Sequence, residues 1–217
     1  MGIGQALVNT FAQDSGLQVF TCARNLKTDA PEHKVSCWTL DLSVPEDCRT
    51  LADRVMQQAG RIDVLINNAA IYQRGEIAKA SVEDIQAVIK TNFMAACILC
   101  SIVLPIMRAQ NFGRIVNVSS SITRMKDLSN RGIYAASKAA LDMLTRAAAH
   151  ENRRFNIKVN AICPGRVKTR MDVDGLAGNS ALDIVPHIVK LAELAEDGPS
   201  GEFYSLDRSI AWEAKYG

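Results

Sequence analysis

Tyr134 and Lys138 stand four residues apart in an alanine-rich stretch, and three hydroxyls, Ser119, Ser120 and Ser121, precede them across a polar loop. On a helix, positions four apart share a face, one turn above the other. A phenol ionises near pH ~10 and is a poor acid or base at neutrality, but an ammonium beside it favours the phenolate and lowers that value. A tyrosine tuned in this way can give a proton to a carbonyl oxygen or take one from an alcohol. Taken alone, Tyr-x-x-x-Lys also describes an ordinary exposed helix turn, so the surrounding elements decide its meaning.

Those elements alternate. Residues 3–14 read as a helix, 17–23 and 35–40 as strands, and 45–59 as a helix opened by Pro45 and closed by Gly60. Residues 62–66 form a third strand, stopped by Asn67-Asn68-Ala69-Ala70. Ser81-x-x-Asp84 has the pattern of a helix start, and the helix it opens runs to about residue 110, with Pro105 expected to bend it. The apolar run 115–118 is a buried strand that delivers the serines to its carboxyl end, and the helix carrying Tyr134 follows. A strand at 157–163 stops at Pro164-Gly165, helical pattern returns at 180–196, and 201–206 reads as the last strand. Alternation of this kind predicts an α/β fold with a parallel sheet covered on both faces, and such sheets bind ligands beyond the carboxyl ends of their strands. Asp41, Asn67, Asn68, the serines and Pro164-Gly165 all fall at those ends.

A chain of 217 residues with 48% apolar composition is long enough for one domain, 1–217, with a large core. Its net charge of +2 comes from scattered Lys and Arg rather than a basic stripe, which argues against a nucleic-acid partner. The longest apolar run, 93–107, is broken by Ser101 and Pro105 and is too short to span a bilayer, so it reads as a buried helix with no membrane role. Six cysteines lack the spacing of a disulfide framework, and Cys97-x-x-Cys100 sits in a helical apolar pattern that reads as core packing. The three histidines are isolated in sequence and suggest no metal site. A reduced, cytoplasmic protein is expected.

Met1-Gly2-Ile3-Gly4 runs straight into a helix, where glycines let a pyrophosphate approach backbone N–H groups at the positive end of the dipole. With Asp41-Leu42, Asn67-Asn68-Ala69-Ala70, Asn92, the serines, Tyr134, Lys138 and Pro164-Gly165-x-Val167-x-Thr169, this sequence resembles the short-chain dehydrogenase/reductase family over nearly its whole length. The resemblance implies a Rossmann-type, doubly wound, three-layer α/β/α domain and an oxidoreductase acting on a small carbonyl or alcohol with a nicotinamide cofactor. It implies a catalytic set of Asn92, Ser120, Tyr134 and Lys138. Tyr134 would exchange the proton, Lys138 would hold the nicotinamide ribose, the serine would donate to the substrate carbonyl, and Asn92 would hold a water linked to Lys138. It also implies a cofactor site built from Gly2, Ile3, Gly4, Arg24, Asp41, Leu42, Asn68, Ala69, Tyr134, Lys138, Pro164, Gly165, Val167 and Thr169. Counting from the strand start gives Ser120, whereas counting back from Tyr134 gives Ser121; strand register is fixed by packing, which favours Ser120.

No acidic residue ends the strand at Thr21-Cys22-Ala23-Arg24, and Arg24 offers a cation to a 2′-phosphate, so NADP is expected with NAD left open. The segment after Thr169 should cover the substrate, whose identity the sequence does not give; the ending around Gly201-Glu202-Phe203-Tyr204 resembles a carbonyl-reductase-like branch of the family. Alanines on the helices at 82–110 and 134–152 suit close helix approach in a homo-oligomer, a monomer remaining open. The competing reading is a cofactor-binding but inactive sensor or scaffold. In the resembled family a further strand ending in Thr-Gly-x-x-x precedes Gly-Ile-Gly in the middle of the sheet, so the expectation is a sheet lacking its first strand, with low stability and weak cofactor binding.

Overall fold

A computed structural model of the chain describes residues 2–25, 35–167 and 178–206. Its elements run α1 (Ile3–Phe11), β1 (Val19–Ala23), β2 (Val35–Thr39), α2 (Pro45–Ala59), β3 (Val64–Asn67), α3 (Val82–Ile89), α4 (Ala95–Gln110), β4 (Gly113–Val118), α5 (Gly132–Glu151), β5 (Ile157–Cys163), α6 (Ala181–Ala192) and β6 (Phe203–Ser205). All strand pairings are parallel, which requires the helical crossovers that the sequence supplies. The α/β class with parallel strands is as the sequence implies.

β4 and β5 are the middle of the molecule. Every residue of β4 is buried, and its pleat sends alternate side chains to two cores. Val116 and Val118 pack with Ile162 against Leu7 of α1 and Ile184, Val185 and Ile188 of α6. Ile115 packs with Val159 and Ile157 against Val103, Leu104 and Met107 of α4 and Ala148 and Ala149 of α5. This gives the three layers. Gly113 is required where it stands, because a Cβ there would collide with the Met107 side chain, including its own Cβ at 2.9 Å. Beside it Arg114, 1% exposed, spends its guanidinium on carbonyls. It donates to Leu194 O at 2.6 Å, Asn156 O at 2.9 Å and Asn156 Oδ1 at 3.0 Å, tying the end of α6 to the sheet.

The sheet is divided at one place. β1 pairs with β2, and β3-β4-β5-β6 form a second sheet, with no strand of the described residues between β1 and β3. This is where the family resemblance puts a strand preceding Gly2. The free edges of β1 and β3 line one cavity of about 1910 Å³. Exposure follows: no residue of β1 or β3 is fully buried, in contrast with β4.

Val82–Gln110 is long and apolar enough to cross a membrane by length and composition, yet one face of it, from Ala95 and Ala96 through Leu99 and Val103 to Met107, is buried in the protein. α3 and α4 are joined not by a regular turn but by a π-helical one, Lys90–Met94, a widening that sequence periodicity does not announce. Of the alanines expected at an oligomer surface, Ala95, Ala96, Ala148 and Ala149 face the chain's own core; Ala139 and Ala147 are exposed, with Met143 between them.

Candidate active site

The site lies at the carboxyl ends of β3, β4 and β5, where the cavity takes in Asn67, Ser119, Ser120, Ser121, Tyr134, Lys138 and Pro164. β4 ends at Val118, and the chain turns through a short 3-10 helix, Ser121–Arg124, capped by Ser120, whose Oγ accepts from Ile122 N at 3.3 Å. The same Ser120 hydroxyl is near enough to the Tyr134 phenol to favour its ionised form. Ser121 opens the 3-10 turn instead and also lines the cavity.

Tyr134 stands in the first turn of α5 with its ring edge-on to Tyr72, centroids 4.9 Å apart at 89°. Burial pushes its phenol up to about 12, only partly offset by the Ser120 hydroxyl. Lys138 is 2% exposed and donates from Nζ to Val118 O at 2.7 Å, 6.0 Å from the Tyr134 ring centroid. Burial holds its ammonium down to about 8, with Asp142 opposing that shift. This differs from the sequence expectation that Lys138 depresses the tyrosine. The lysine spends itself on the end of β4, desolvation governs both groups, and the phenol stays neutral.

Asn92 lies in the π turn, 2% exposed. Its Oδ1 accepts from Ile71 N at 2.8 Å and its Nδ2 donates to Ile71 O at 2.9 Å and to Ser137 Oγ at 3.1 Å. Ser137 in turn donates to Tyr134 O at 2.7 Å. Asn92 therefore ties the loop after β3 to the turn of α5 that carries the tyrosine, and its amide is occupied by protein partners. Ser137, Tyr72, Arg124 and Asp142 belong to this neighbourhood and were not singled out from sequence. Only the spacing of Asp142, four residues after Lys138, offered a signal.

The residues assigned to a cofactor also gather along this cavity. Gly2 stands at the N-cap of α1, and no side chain caps its first turn or places a negative charge there, which leaves backbone N–H groups of that turn without helical partners. A Cβ on Gly4 would stand 3.0 Å from Asn68 Nδ2, so glycine permits the close approach of this turn to the Asn67-Asn68-Ala69-Ala70 loop. Asn67 is anchored from below: its Nδ2 donates to Asn117 Oδ1 at 2.8 Å, and Asn117 donates to Thr145 Oγ1 at 2.8 Å. Ala69 lines the cavity. Arg24 is exposed at the end of β1 and lowers the pKa of Asp41, whose carboxylate is held below its usual range first by the Ser43 backbone N–H. Leu42 packs against Cys48 and Leu99. On the far side Gly165 takes φ 67, a left-handed conformation suited to glycine, and Val167 bridges to Asn179. Thr169 and most of the segment expected to cover the substrate lie outside the described residues. A donor-rich helix start, a glycine-permitted approach and a cation at the strand end fit a phosphate-bearing dinucleotide.

Comparison with known proteins bears on the family and the fold. The model of the short chain dehydrogenase family matches residues 1–178. The 3-oxoacyl-[acyl-carrier-protein] reductase FabG of Thermotoga maritima is 34% identical over 177 residues, covering 78% of this chain and 72% of that protein. A chloroplastic tropinone reductase homolog of Arabidopsis thaliana is 29% identical over 206 residues, and the chain spans 63% of its length. Among solved structures, ElxO with NADP bound superposes with a TM-score of 0.84 at 25% identity, covering 95% of this chain and 93% of that one.

Proposed function

This chain belongs to the short-chain dehydrogenase/reductase family, an oxidoreductase family that uses a nicotinamide cofactor and small-molecule substrates, and from that premise we propose that it reduces a carbonyl with NADPH, Tyr134 donating the proton. The observation that carries the reading is the meeting of Tyr134, Ser120 and Lys138 on one cavity at the carboxyl end of β4, with Lys138 Nζ held on Val118 O. A bound nicotinamide supplies the hydride. The chain's own residues do the rest. Ser120 donates to the carbonyl oxygen and stabilises the charge that grows there. Tyr134 gives that oxygen its proton, so the carbonyl becomes an alcohol, and the resulting phenolate recovers a proton from solvent. Lys138, held by Val118 O, places a cation beneath the phenol when that phenolate forms. Asn92 fixes the tyrosine's turn against the loop after β3.

Exposed Arg24, with no acidic residue in the preceding strand, supports NADPH over NADH. FabG, named as a 3-oxoacyl reductase, supports placing 3-oxoacyl thioesters first among substrates, beside simple ketones, aldehydes and quinones. The exposed face of α5 around Ala139, Met143 and Ala147 supports self-association, and free thiols at all six cysteines suit a reducing cytoplasm. Oxidation of NADPH and NADH measured against that carbonyl panel is the test. Cofactor binding without turnover on any of them would favour the non-catalytic reading.

A further inference from the structure

One turn beyond Lys138 on α5, Asp142 carries a carboxylate that the chemistry above does not use. The residue is 5% exposed and, unlike Tyr134 and Lys138, is not among the residues lining the cavity. Its Oδ1 accepts from Ser119 Oγ at 2.5 Å. Its Oδ2 pairs with Arg124 Nη1 at 3.2 Å, the two side chains being 15% and 6% exposed. The Thr123 hydroxyl beside it donates to Ser120 O at 3.1 Å and accepts from Arg124 Nη1 at 2.8 Å. The Arg124 guanidinium is held in turn over the Phe203 ring, 3.5 Å from its centroid.

These contacts have a common geometry. Ser119 immediately precedes Ser120, and Thr123 and Arg124 end the short helix that Ser120 caps. The turn that presents Ser120 is therefore fastened on both sides to one buried carboxylate, on the helix that also carries Tyr134 and Lys138. Positions 134, 138 and 142 share one face of that helix.

We propose that Asp142 is a positioning residue: it clasps the serine turn to α5 so that Ser120 meets Tyr134, and it is the anion that faces Lys138 across one helical turn. The inference rests on the reductase reading of Tyr134. A buried carboxylate is retained at the cost of desolvation, and this one is raised by burial while Ser119, Thr123 and Arg124 hold it down. The titratable and charged groups around the pair are Lys138 and Tyr134 on the same helix, Arg124 from the 3-10 turn and Cys163 at the end of β5. Of these, Asp142 does most to oppose the burial that lowers the Lys138 pKa.

The decisive variant is Asp142→Asn, which keeps the shape and an acceptor for Ser119 but removes the charge. Nitrogen-15 NMR titration of the Lys138 Nζ, which needs no substrate, should show its midpoint fall by about one pH unit, the scale of a lost opposite charge. On whichever panel carbonyl the parent turns over fastest, kcat should fall about tenfold with KM little changed, and Asp142→Glu should recover part of both. An unmoved Lys138 titration together with parental kcat overturns the proposal, since a residue that merely supports packing would lower the melting temperature alone. If Asp142→Asn loses its cooperative melt, Arg124→Met and Ser119→Ala carry the test. Each opens one clasp, so each should lower kcat while the Lys138 titration does not fall; parental kcat in both overturns the clasp. A parent inactive on the whole panel removes the underlying reductase reading, and the Lys138 titration then tests Asp142 on its own.

Discussion

Tyr134 and Lys138 are displaced from their ordinary ionisations by the same cause in opposite senses, and this sets the expected pH behaviour. The phenol, pushed up to about 12, remains a proton donor throughout the working range. The ammonium, held down to about 8, is the group that titrates first. Turnover is therefore expected to decline as pH rises through about 8, which a kcat/KM profile would show, and a flat profile to pH 10 would remove Lys138 from the chemistry. Stability moves the other way. Between about 8 and the ordinary lysine value of 10.5 the unfolded chain binds more protons than the folded one, so this group adds stability as pH rises across that window. Lys138→Met should lack the increment. Tyr134→Phe should keep the fold, since the ring still meets Tyr72, and lose about 10²–10⁴-fold in turnover, the usual worth of a positioned acid. Arg24→Ala should weaken NADPH binding by about 1.5–3 kcal/mol and leave NADH unchanged by calorimetry; equal losses would remove the basis for preferring NADPH. The spacing of Tyr134 and Lys138 was legible because a helix fixes it. Their ionisations were not, because they depend on a carbonyl at the end of β4 and on burial that no local pattern encodes. Arg124 and Asp142 are far apart in sequence and become partners only once the turn after β4 folds back on α5.

Elements were read best where a chemical marker stood at their ends. Pro45 and Gly60 bracket α2 as read, Gly60 at φ 69 closing it, and β5 keeps its bounds of 157–163 up to Pro164-Gly165. α1 ends earlier than the reading to residue 14, at Phe11, since its last residues offered no stop before Ser15-Gly16. Ser81 accepts from Asp84 N at 3.0 Å, as its pattern implied. The full reciprocal box stands at Ser180 and Asp183, opening α6, where the sequence shows a helical pattern without a stated start. The π turn at Lys90–Met94 escaped the sequence because it alters winding without altering composition. That turn is how Asn92 reaches Ile71, so Asn92→Ala should loosen the loop after β3 and cost about 1–3 kcal/mol for the backbone groups of Ile71 left unpaired. Gly113→Ala should cost a similar amount, about 1–3 kcal/mol, by forcing Met107 and its helix away from β4. Denaturant melts of the two variants check both figures, and a parental midpoint for Gly113→Ala would mean that α4 yields freely.

At the scale of the whole molecule, the layers and the parallel strands were legible from alternation and from where the polar residues fell, while the division of the sheet could be read only against the family's pattern. Adding to the N-terminus an apolar segment able to pair with β1 and β3 should raise the melting temperature and tighten NADPH binding, because backbone groups along both free edges would gain partners. Equal melting temperatures with and without it would show that those edges need none. The same division reaches into time as well as space. Among the described residues no ladder of hydrogen bonds joins β1 and β2 to the other four strands, so their amides should open to solvent exchange as a separate unit, well before those of β4 and β5. Arg24 and Asp41 ride on the first unit, and Tyr134 and Lys138 on the second. A dinucleotide lying along the cavity would touch both, and its binding should bring two opening events together into one, so that in exchange measurements NADPH protects β1 and β2 far more than it protects the already closed centre of the molecule.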